Sequence, residues 1–119
     1  MTSPSIKEYD ILIIGAGPAG LSAGLYAARG NMKTIILEKL IPGGQLLNTE
    51  DVENYPGMDH MTGPQISQAM EEQTKRFGCE IINNCNLTKI DLTKETKIIE
   101  SDKGIFSAKA VIIATGSEY

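Results

Sequence analysis

The sequence lacks several residue types on which whole classes of function depend. Its 119 residues include no tryptophan, one histidine and two cysteines. The spacing of Cys79 and Cys85 fits neither a redox Cys-x-x-Cys pair nor a usual zinc pair, and His60 has no evident nucleophile to activate. We therefore expect both thiols to be buried structural residues. No metal site and no catalytic triad are predicted.

Strong positive charge and long apolar runs are also absent. The net charge is −4 and the isoelectric point is near 4.9, which argues against nucleic acid or an anionic membrane surface as the main partner. No apolar run is long enough to cross a bilayer, and residues 1–7 lack the apolar core of a signal peptide. The default expectation is a soluble cytoplasmic protein of one domain at most.

What the sequence does contain is a glycine-rich motif between two apolar segments. Residues 9–20 read YDILIIGAGPAG, and residues 34–38 read TIILE. The β-branched run at 11–14 is too short for a helix and predicts a strand buried on both faces. Thr34–Leu37 predicts a second strand. The small residues between them predict a helix that ends at Gly30.

Each residue of the motif has a separate physical role. Gly15 permits a sharp turn, Gly17 leaves room for the backbone to approach a pyrophosphate, and Gly20 lets the helix pack closely on the strand. Pro18 suits the first helical turn, and the helix N-terminus attracts an anion. Glu38 can accept hydrogen bonds from ribose hydroxyls and disfavours a 2′-phosphate. The pattern predicts an adenine dinucleotide other than NADP; the alternative is a βαβ unit that binds nothing.

Residues 40–63 show neither helix nor strand periodicity and are rich in glycine and proline. Such long loops are usually functional. Within this loop, residues 42–46 (PGGQL) and 53–57 (ENYPG) offer paired glycines and the side-chain amides of Gln45 and Asn54, which suit the ring edge of a flavin. Ordinary turns are an equally favoured interpretation.

The second half of the chain predicts one helix and several strands. Thr62 is a candidate N-cap for a helix that continues to Gly78, with Met70 and Phe77 in the core. A short strand is expected at 80–83. The remaining segments predict an antiparallel meander (87–92, 97–101 and 105–108) and a separate buried strand at 110–114, which ends at the carboxyl edge of the sheet.

Five motifs together resemble the low-molecular-weight thioredoxin reductases, in order and near the expected spacing. They are GAGPAG at 15–20, GGQL at 43–46, ENYPG at 53–57, TGP at 62–64 and IIATG at 112–116. The resemblance covers essentially the whole chain. It implies an α/β fold: a Rossmann-like FAD-binding domain with a central parallel sheet and a small antiparallel β-meander, of which residues 1–119 would form the N-terminal part.

The resemblance also implies a function and a set of site residues. In this family NADPH reduces FAD, FAD reduces a disulfide, and the disulfide reduces thioredoxin; a homodimer is expected. The implied contacts are Gly15, Gly17, Pro18, Ala19 and Gly20 to the pyrophosphate, Glu38 to the ribose, Gly44, Gln45, Leu46 and Asn54 to the flavin, Leu87 to the adenine through its backbone, and Ala114, Thr115 and Gly116 as the pocket lining. For Leu87, core packing is the alternative role.

The sequence departs from the family in what it does not include. Family members continue into an NADPH domain that carries a redox Cys-x-x-Cys, and then complete the FAD domain. Residues 40–48 also lack the cysteine pair of glutathione-reductase-type enzymes, so no catalytic residue is expected here. Three interpretations stay open: part of a longer thioredoxin reductase, part of a thioredoxin-reductase-like ferredoxin or flavodoxin-NADP reductase, and a non-catalytic FAD-binding module.

Overall fold

Among the described residues, strands and helices alternate up to residue 82, and only strands follow. The computed structural model describes residues 5–40, Gly43 and 62–116. Most of the predicted loop at 40–63 therefore lies outside the described residues. The elements are β1 (Ile6–Ile14), α1 (Pro18–Arg29), β2 (Thr34–Leu37), α2 (Gly63–Arg76), β3 (Glu80–Ile82), β4 (Leu87–Asp91), β5 (Lys97–Ser101) and β6 (Gly104–Ile113).

The six described strands form one mixed sheet in the order β3-β2-β1-β6-β5-β4. The pairs β3–β2, β2–β1 and β1–β6 are parallel, whereas β6–β5 and β5–β4 are antiparallel. The predicted α/β class is confirmed, with a parallel centre and an antiparallel meander. The two parts belong to a single sheet because β6 is shared between them.

The prediction of two separate strands at 105–108 and 110–114 is wrong. These residues form the single strand β6, which pairs with β1 from Ile6 onward, five residues before the predicted start of β1. Lys109 does not interrupt the strand, because its ammonium group is exposed and lies 3.7 Å from an Asp10 carboxylate oxygen. The pairing with β1 along its whole length keeps β6 extended.

The prediction that residues 110–114 are buried is also wrong. Ile112 and Ile113 are 38% and 62% exposed, although their register partners Ile13 and Ile14 in β1 are only 0% and 3% exposed. Beyond Ala108, β6 pairs with β1 on one side, and no described strand pairs with its other side. This half of β6 is therefore an open edge of the described sheet.

Two apolar clusters cover the two faces of the parallel strands. One cluster joins residues of both helices to β1 and β2, and the other joins residues of the meander to the same two strands. Apolar burial of this kind is the main favourable term in folding. The helix-side cluster includes Ile13, Leu21, Ile36, Ile66 and Met70. The meander-side cluster includes Leu12, Ile14, Ile35, Leu37, Ile99 and Phe106.

Two glycines bring α1 against the sheet. A Cβ atom on Gly20 would lie 1.8 Å from the carbonyl oxygen of Gly15, so only glycine fits there, as the sequence predicts. A Cβ atom on Gly24 would lie 2.7 Å from Cδ1 of Ile36 and 3.0 Å from Sγ of Cys79. The helix ends as predicted, at Gly30, whose N–H group donates to carbonyl oxygens of the last turn.

The boundaries of α2 agree with the sequence prediction, but one of its core residues does not. Thr62 caps the helix in a reciprocal pair with Gln65, and Gly78 follows the last turn with a φ of +101°. Met70 is buried as predicted. Phe77 is 46% exposed, because it follows the last turn of α2, where the Arg29 guanidinium lies 5.7 Å from its ring centroid.

Both cysteines are buried free thiols, as predicted. Burial and, secondarily, the neighbouring charge of Glu80 raise the pKa of Cys79 from 9.0 to about 12. Burial is also the main cause that raises the pKa of Cys85. Neither environment activates a thiolate, because activated cysteines have lowered pKa values. None of the described helices combines the length and apolar character needed to cross a membrane.

Candidate functional site

The ends of three parallel strands meet at the carboxyl edge of the sheet. The N–H group of Gly15, just after β1, donates to the carbonyl oxygen of Leu37 in β2 over 2.9 Å. The N–H group of Ala114, just after β6, donates to the carbonyl oxygen of Ile14 over 2.8 Å. Ligands of open α/β sheets bind at this edge. The glycine-rich loop therefore leaves the sheet at the expected position for a ligand.

The N-terminus of α1 presents backbone hydrogen-bond donors that have no acceptor within the helix. Gly17 is the N-cap residue and has no side chain to cap the helix, while Pro18 has no N–H group. The first helical bond is donated by the N–H group of Leu21 to Gly17 O over 2.9 Å. The N–H groups of the first turn have no helical acceptor, and the first turn contains no acidic residue. Together with the helix dipole, this arrangement fits a pyrophosphate.

Gly15 holds the turn between β1 and α1 in a conformation that other residues rarely adopt. Its φ is +109°, and a Cβ atom would lie 2.2 Å from the carbonyl oxygen of Ala114. The Cα atom of Thr115 would be 3.1 Å away. The sequence predicted the turn, and the structure adds that the end of β6 packs against it.

The Glu38 side chain folds back onto the glycine-rich loop. Its Oε1 atom accepts a hydrogen bond from the N–H group of Ala16 over 2.8 Å, and Oε2 accepts one from Leu40 over 2.7 Å. A carboxylate has about four acceptor positions on its two oxygens. The two described donors leave about two of these positions, the number that a pair of neighbouring hydroxyl groups would need.

The chain after β3 lies along the backbone of Glu38. Glu38 donates its N–H group to Ile82 O over 2.9 Å, and Cys85 donates to Glu38 O over 2.8 Å. Asn84 donates to Leu40 O over 2.9 Å. Leu87 begins β4 a few residues later, and its half-buried side chain packs on the meander-side cluster. Core packing thus accounts for that side chain, and a backbone contact to adenine stays a prediction.

The structure brings most of the predicted site residues to this one edge. Two described residues are not in this group: Leu87, which begins β4, and Gly116, which is exposed with a φ of +70°. Gly44, Gln45, Leu46 and Asn54 lie outside the described residues. The residues brought together are Gly15, Gly17, Pro18, Ala19, Gly20, Glu38, Ala114 and Thr115.

Sequence reasoning assigned no individual role to three residues of the site, Ala16, Leu40 and Gly43, although Gly43 belongs to the glycine pair that it singled out. Ala16 donates to Glu38 and accepts a 2.7 Å hydrogen bond from the N–H group of Gly43. All three residues act through backbone atoms, so their side chains carry no chemical signal. The available signals were the place of Ala16 between the first two glycines of the motif and the paired glycines at 43–44. Within the described ranges, no group of three or more His, Cys, Asp or Glu residues is placed to hold a metal.

Comparisons with known proteins agree with this arrangement. Residues 9–119 match the family described as pyridine nucleotide-disulphide oxidoreductase. The chain is 49% identical over 113 residues to a thioredoxin reductase of Bacillus subtilis (strain 168). The aligned region covers 95% of this chain and 35% of that protein.

Solved structures of related proteins share the fold. The thioredoxin reductase of Streptococcus pyogenes MGAS5005 superposes with a TM-score of 0.88 at 46% identity, over 97% of this chain and 37% of that one. A ferredoxin-flavin thioredoxin reductase of Clostridium acetobutylicum superposes with a TM-score of 0.83 at 29% identity, over 97% of this chain and 40% of that one. The chain spans 35% of the length of the Bacillus subtilis relative. On this match and this fold, the chain belongs to the pyridine nucleotide-disulphide oxidoreductase family.

Proposed function

We propose that this chain forms the FAD-binding part of a thioredoxin-reductase-like flavoprotein. The observation that carries the proposal is the Glu38 carboxylate, which two backbone N–H groups hold beside the uncapped N-terminus of α1. An acceptor for ribose and a set of donors for pyrophosphate thus stand side by side. This is the pair of groups by which an adenine dinucleotide is recognised.

Each part of the dinucleotide has proposed contacts on this chain. The pyrophosphate binds the first turn of α1, and the ribose hydroxyls bind Glu38. The adenine lies toward the backbone at Leu87, and the flavin end lies toward Ala114 and Thr115. Further proposed contacts to the flavin end are Gly44, Gln45, Leu46, Asn54 and Gly116.

The proposed activity belongs to an intact enzyme that transfers electrons from NADPH to a disulfide and then to thioredoxin. Bound FAD would supply the two-electron acceptor between the nicotinamide and the disulfide. The described residues of this chain bind and orient that cofactor and supply no redox thiol, because both cysteines are buried. The names of the similar proteins support thioredoxin as the acceptor. A cytoplasmic homodimer is part of the same proposal.

A second candidate concerns the electron donor. One similar structure is named a ferredoxin-flavin thioredoxin reductase, so a ferredoxin in place of NADPH is compatible with this FAD-binding fold. Reduction of the intact enzyme by NADPH, followed at the flavin absorption band, distinguishes the two donors. Bleaching by NADPH supports the first candidate, and bleaching by reduced ferredoxin alone supports the second.

Binding of FAD is the direct test. Purified protein should show two visible flavin absorption bands, or gain them when FAD is added. Gly17→Val should weaken FAD binding by at least about a hundredfold, or about 2.7 kcal/mol, because its side chain fills the space for the pyrophosphate. The φ of Gly17 is −73°, which valine adopts, so the melting temperature without ligand should hold.

Gly30→Ala is the matched control. Gly30 also has a negative φ, of −81°, and lies at the opposite end of α1. This variant should bind FAD as the unmodified protein does. A colourless protein that fails to bind added FAD would refute the proposed function, and tight binding by Gly17→Val would refute the placement of the pyrophosphate.

A further inference from the structure

We infer that Glu38 is also a positioning residue, which ties the glycine-rich loop to the chain after β2 and thereby couples the ribose end of the site to its flavin end. The inference rests on the proposed function, because it concerns the same site. It adds a role for the carboxylate that is exerted through protein groups before any ligand binds.

The first evidence is a closed set of hydrogen bonds around Ala16. Its N–H group donates to Oε1 of Glu38 over 2.8 Å, and its carbonyl oxygen accepts from the N–H group of Gly43 over 2.7 Å. Oε2 of the same carboxylate accepts from Leu40 over 2.7 Å. The glycine-rich loop is therefore joined to the chain after β2 at two points, Glu38 and Gly43, and a third bond holds the carboxylate to Leu40 within that chain.

Burial makes the two bonds of the Ala16 peptide groups difficult to replace with water. Ala16 is 0% exposed and Gly43 is also buried. A buried backbone group that loses its partner costs about 1–3 kcal/mol. Bonds that end on a carboxylate are charge-assisted and stronger than bonds between neutral groups. Removal of the Glu38 carboxylate thus leaves the N–H group of Ala16 buried without its acceptor.

The backbone of Glu38 is itself fixed by β3. It donates to Ile82 O and accepts from the N–H group of Cys85, while Leu40 O accepts from Asn84. The position of the carboxylate is therefore set by the sheet and by two backbone donors. It does not depend on the ligand for its placement.

The coupling follows from the order of residues along the chain. Gly43 directly precedes Gly44, Gln45 and Leu46, the proposed contacts to the flavin end. A carboxylate that served the ribose alone would leave Gly43 unaffected when removed. Removal of a positioning carboxylate would instead free the Ala16 peptide group and weaken the bond that Ala16 O accepts from Gly43.

Amide hydrogen exchange of the ligand-free protein tests this directly. Glu38→Ala should lower protection at Ala16, Leu40 and Gly43 by about tenfold or more, equivalent to about 1.4 kcal/mol. The result at Gly43 distinguishes a positioning role from a loss of direct contacts, because the Gly43 N–H group donates to Ala16 and not to Glu38. Unchanged protection at Gly43 would overturn the inference.

Two further variants keep the experiment decisive. Glu38→Gln retains one acceptor oxygen and presents an NH₂ group to the other N–H group, so it should give an intermediate loss at Gly43. Asp102→Asn is the matched control, because Asp102 Oδ1 accepts a 2.8 Å bond from the N–H group of Asn86 in the meander. It should leave Gly43 unchanged. An equal loss at all amides, including Leu12 and Ile36 in the core, would also overturn the inference.

Affinities for ADP and FAD provide a second, independent measurement. ADP carries the ribose and pyrophosphate but no flavin. If Glu38 contacts ribose alone, Glu38→Ala lowers the affinities for ADP and FAD by the same factor, and that result overturns the coupling. If Glu38 also positions the flavin side, the affinity for FAD should fall about tenfold more than the affinity for ADP. Failure of the unmodified protein to bind FAD would refute the proposed function, whereas the exchange result at Gly43 would still decide the positioning role.

Discussion

The carbonyl oxygen of Ala114 lies 2.2 Å from the position that a Cβ atom would take on Gly15. These residues follow β1 and β6, so the first glycine of the motif is in backbone contact with the end of the last described strand. The contact explains why the loop leaves the sheet at a fixed point. It also makes Gly15 a residue of the fold as well as of the binding site.

Gly15→Ala should destabilise the protein strongly. The substitution adds a backbone clash with Ala114 to the strain of a left-handed φ of +109°. We expect the free energy of unfolding in urea to fall by about 3 kcal/mol or more. Gly78→Ala is the control, since its φ is +101° but no atom lies within 4 Å of the added Cβ. It should cost about 1–2 kcal/mol. Equal losses would show that the contact with Ala114 contributes nothing.

Gly24→Ala should be destabilising and should be rescued by Ile36→Val. The added Cβ would lie 2.7 Å from Cδ1 of Ile36, and that methyl group is the one that valine lacks. Each single variant should lose about 1 kcal/mol, because a clash outweighs the gain in helix propensity and Ile→Val opens a small cavity. The double variant should lose less than the sum by at least about 0.5 kcal/mol. Additive losses in thermal or urea unfolding would contradict the packing described for α1.

The pKa of Cys79 predicts a loss of stability at alkaline pH. Its folded pKa of about 12 is raised above the ordinary value of 9.0, so between these values the unfolded chain releases a proton that the folded chain keeps. The contribution is complete below pH 9 and falls as pH rises toward 12. The slope is at most about 1.4 kcal/mol per pH unit.

The measurement compares urea unfolding of the unmodified protein and Cys79→Ala from pH 8 to 10.5. The variant should be less stable at pH 8, because it lacks a buried side chain, and the difference should shrink above pH 9. Other groups with raised pKa values, such as Tyr9, are present in both proteins and cancel in the comparison. A difference that is constant with pH would contradict the raised pKa.

The open edge of β6 predicts unequal costs for two isoleucines that share a register position. Ile14 is 3% exposed and Ile113 is 62% exposed. Ile14→Ala should therefore cost about 2–5 kcal/mol, and Ile113→Ala less than about 1 kcal/mol. Urea denaturation of the two variants checks this. A large loss for Ile113→Ala would show that another part of the protein covers this half of β6.

The elements that could be predicted from the sequence are those specified by local chemistry. Thr62 and Gly78 identify the ends of α2, and the apolar segment at 34–37 identifies β2 without long-range information. The continuity of β6 could not be predicted, because Lys109 interrupts its apolar pattern and, beyond Ala108, the described pairing that keeps it extended is with distant β1. Phe77 was misplaced because helical spacing continues in sequence one residue beyond the end of α2.

The candidate site divides in the same way. Gly15, Gly20 and Glu38 could be predicted, because each needs a particular side chain or its absence. Ala16 and Leu40 could not, since their contribution is an N–H group that nearly every residue has. Site residues that act through the backbone become visible only when the fold is known.

The sharing of β6 between two pairings has a consequence for how the chain folds. The turn at Asp102 and Lys103 lets β6 pair with β5 through local contacts, whereas pairing with β1 joins nearly opposite ends of the chain. Non-local pairing carries the larger loop-closure entropy and is the slower step of folding. We expect the meander to form before β6 docks on β1. Gly15 contacts Ala114 only after that docking, so the capacity to bind a dinucleotide should appear last in refolding. Nucleotide binding would therefore indicate that β6 has paired with β1.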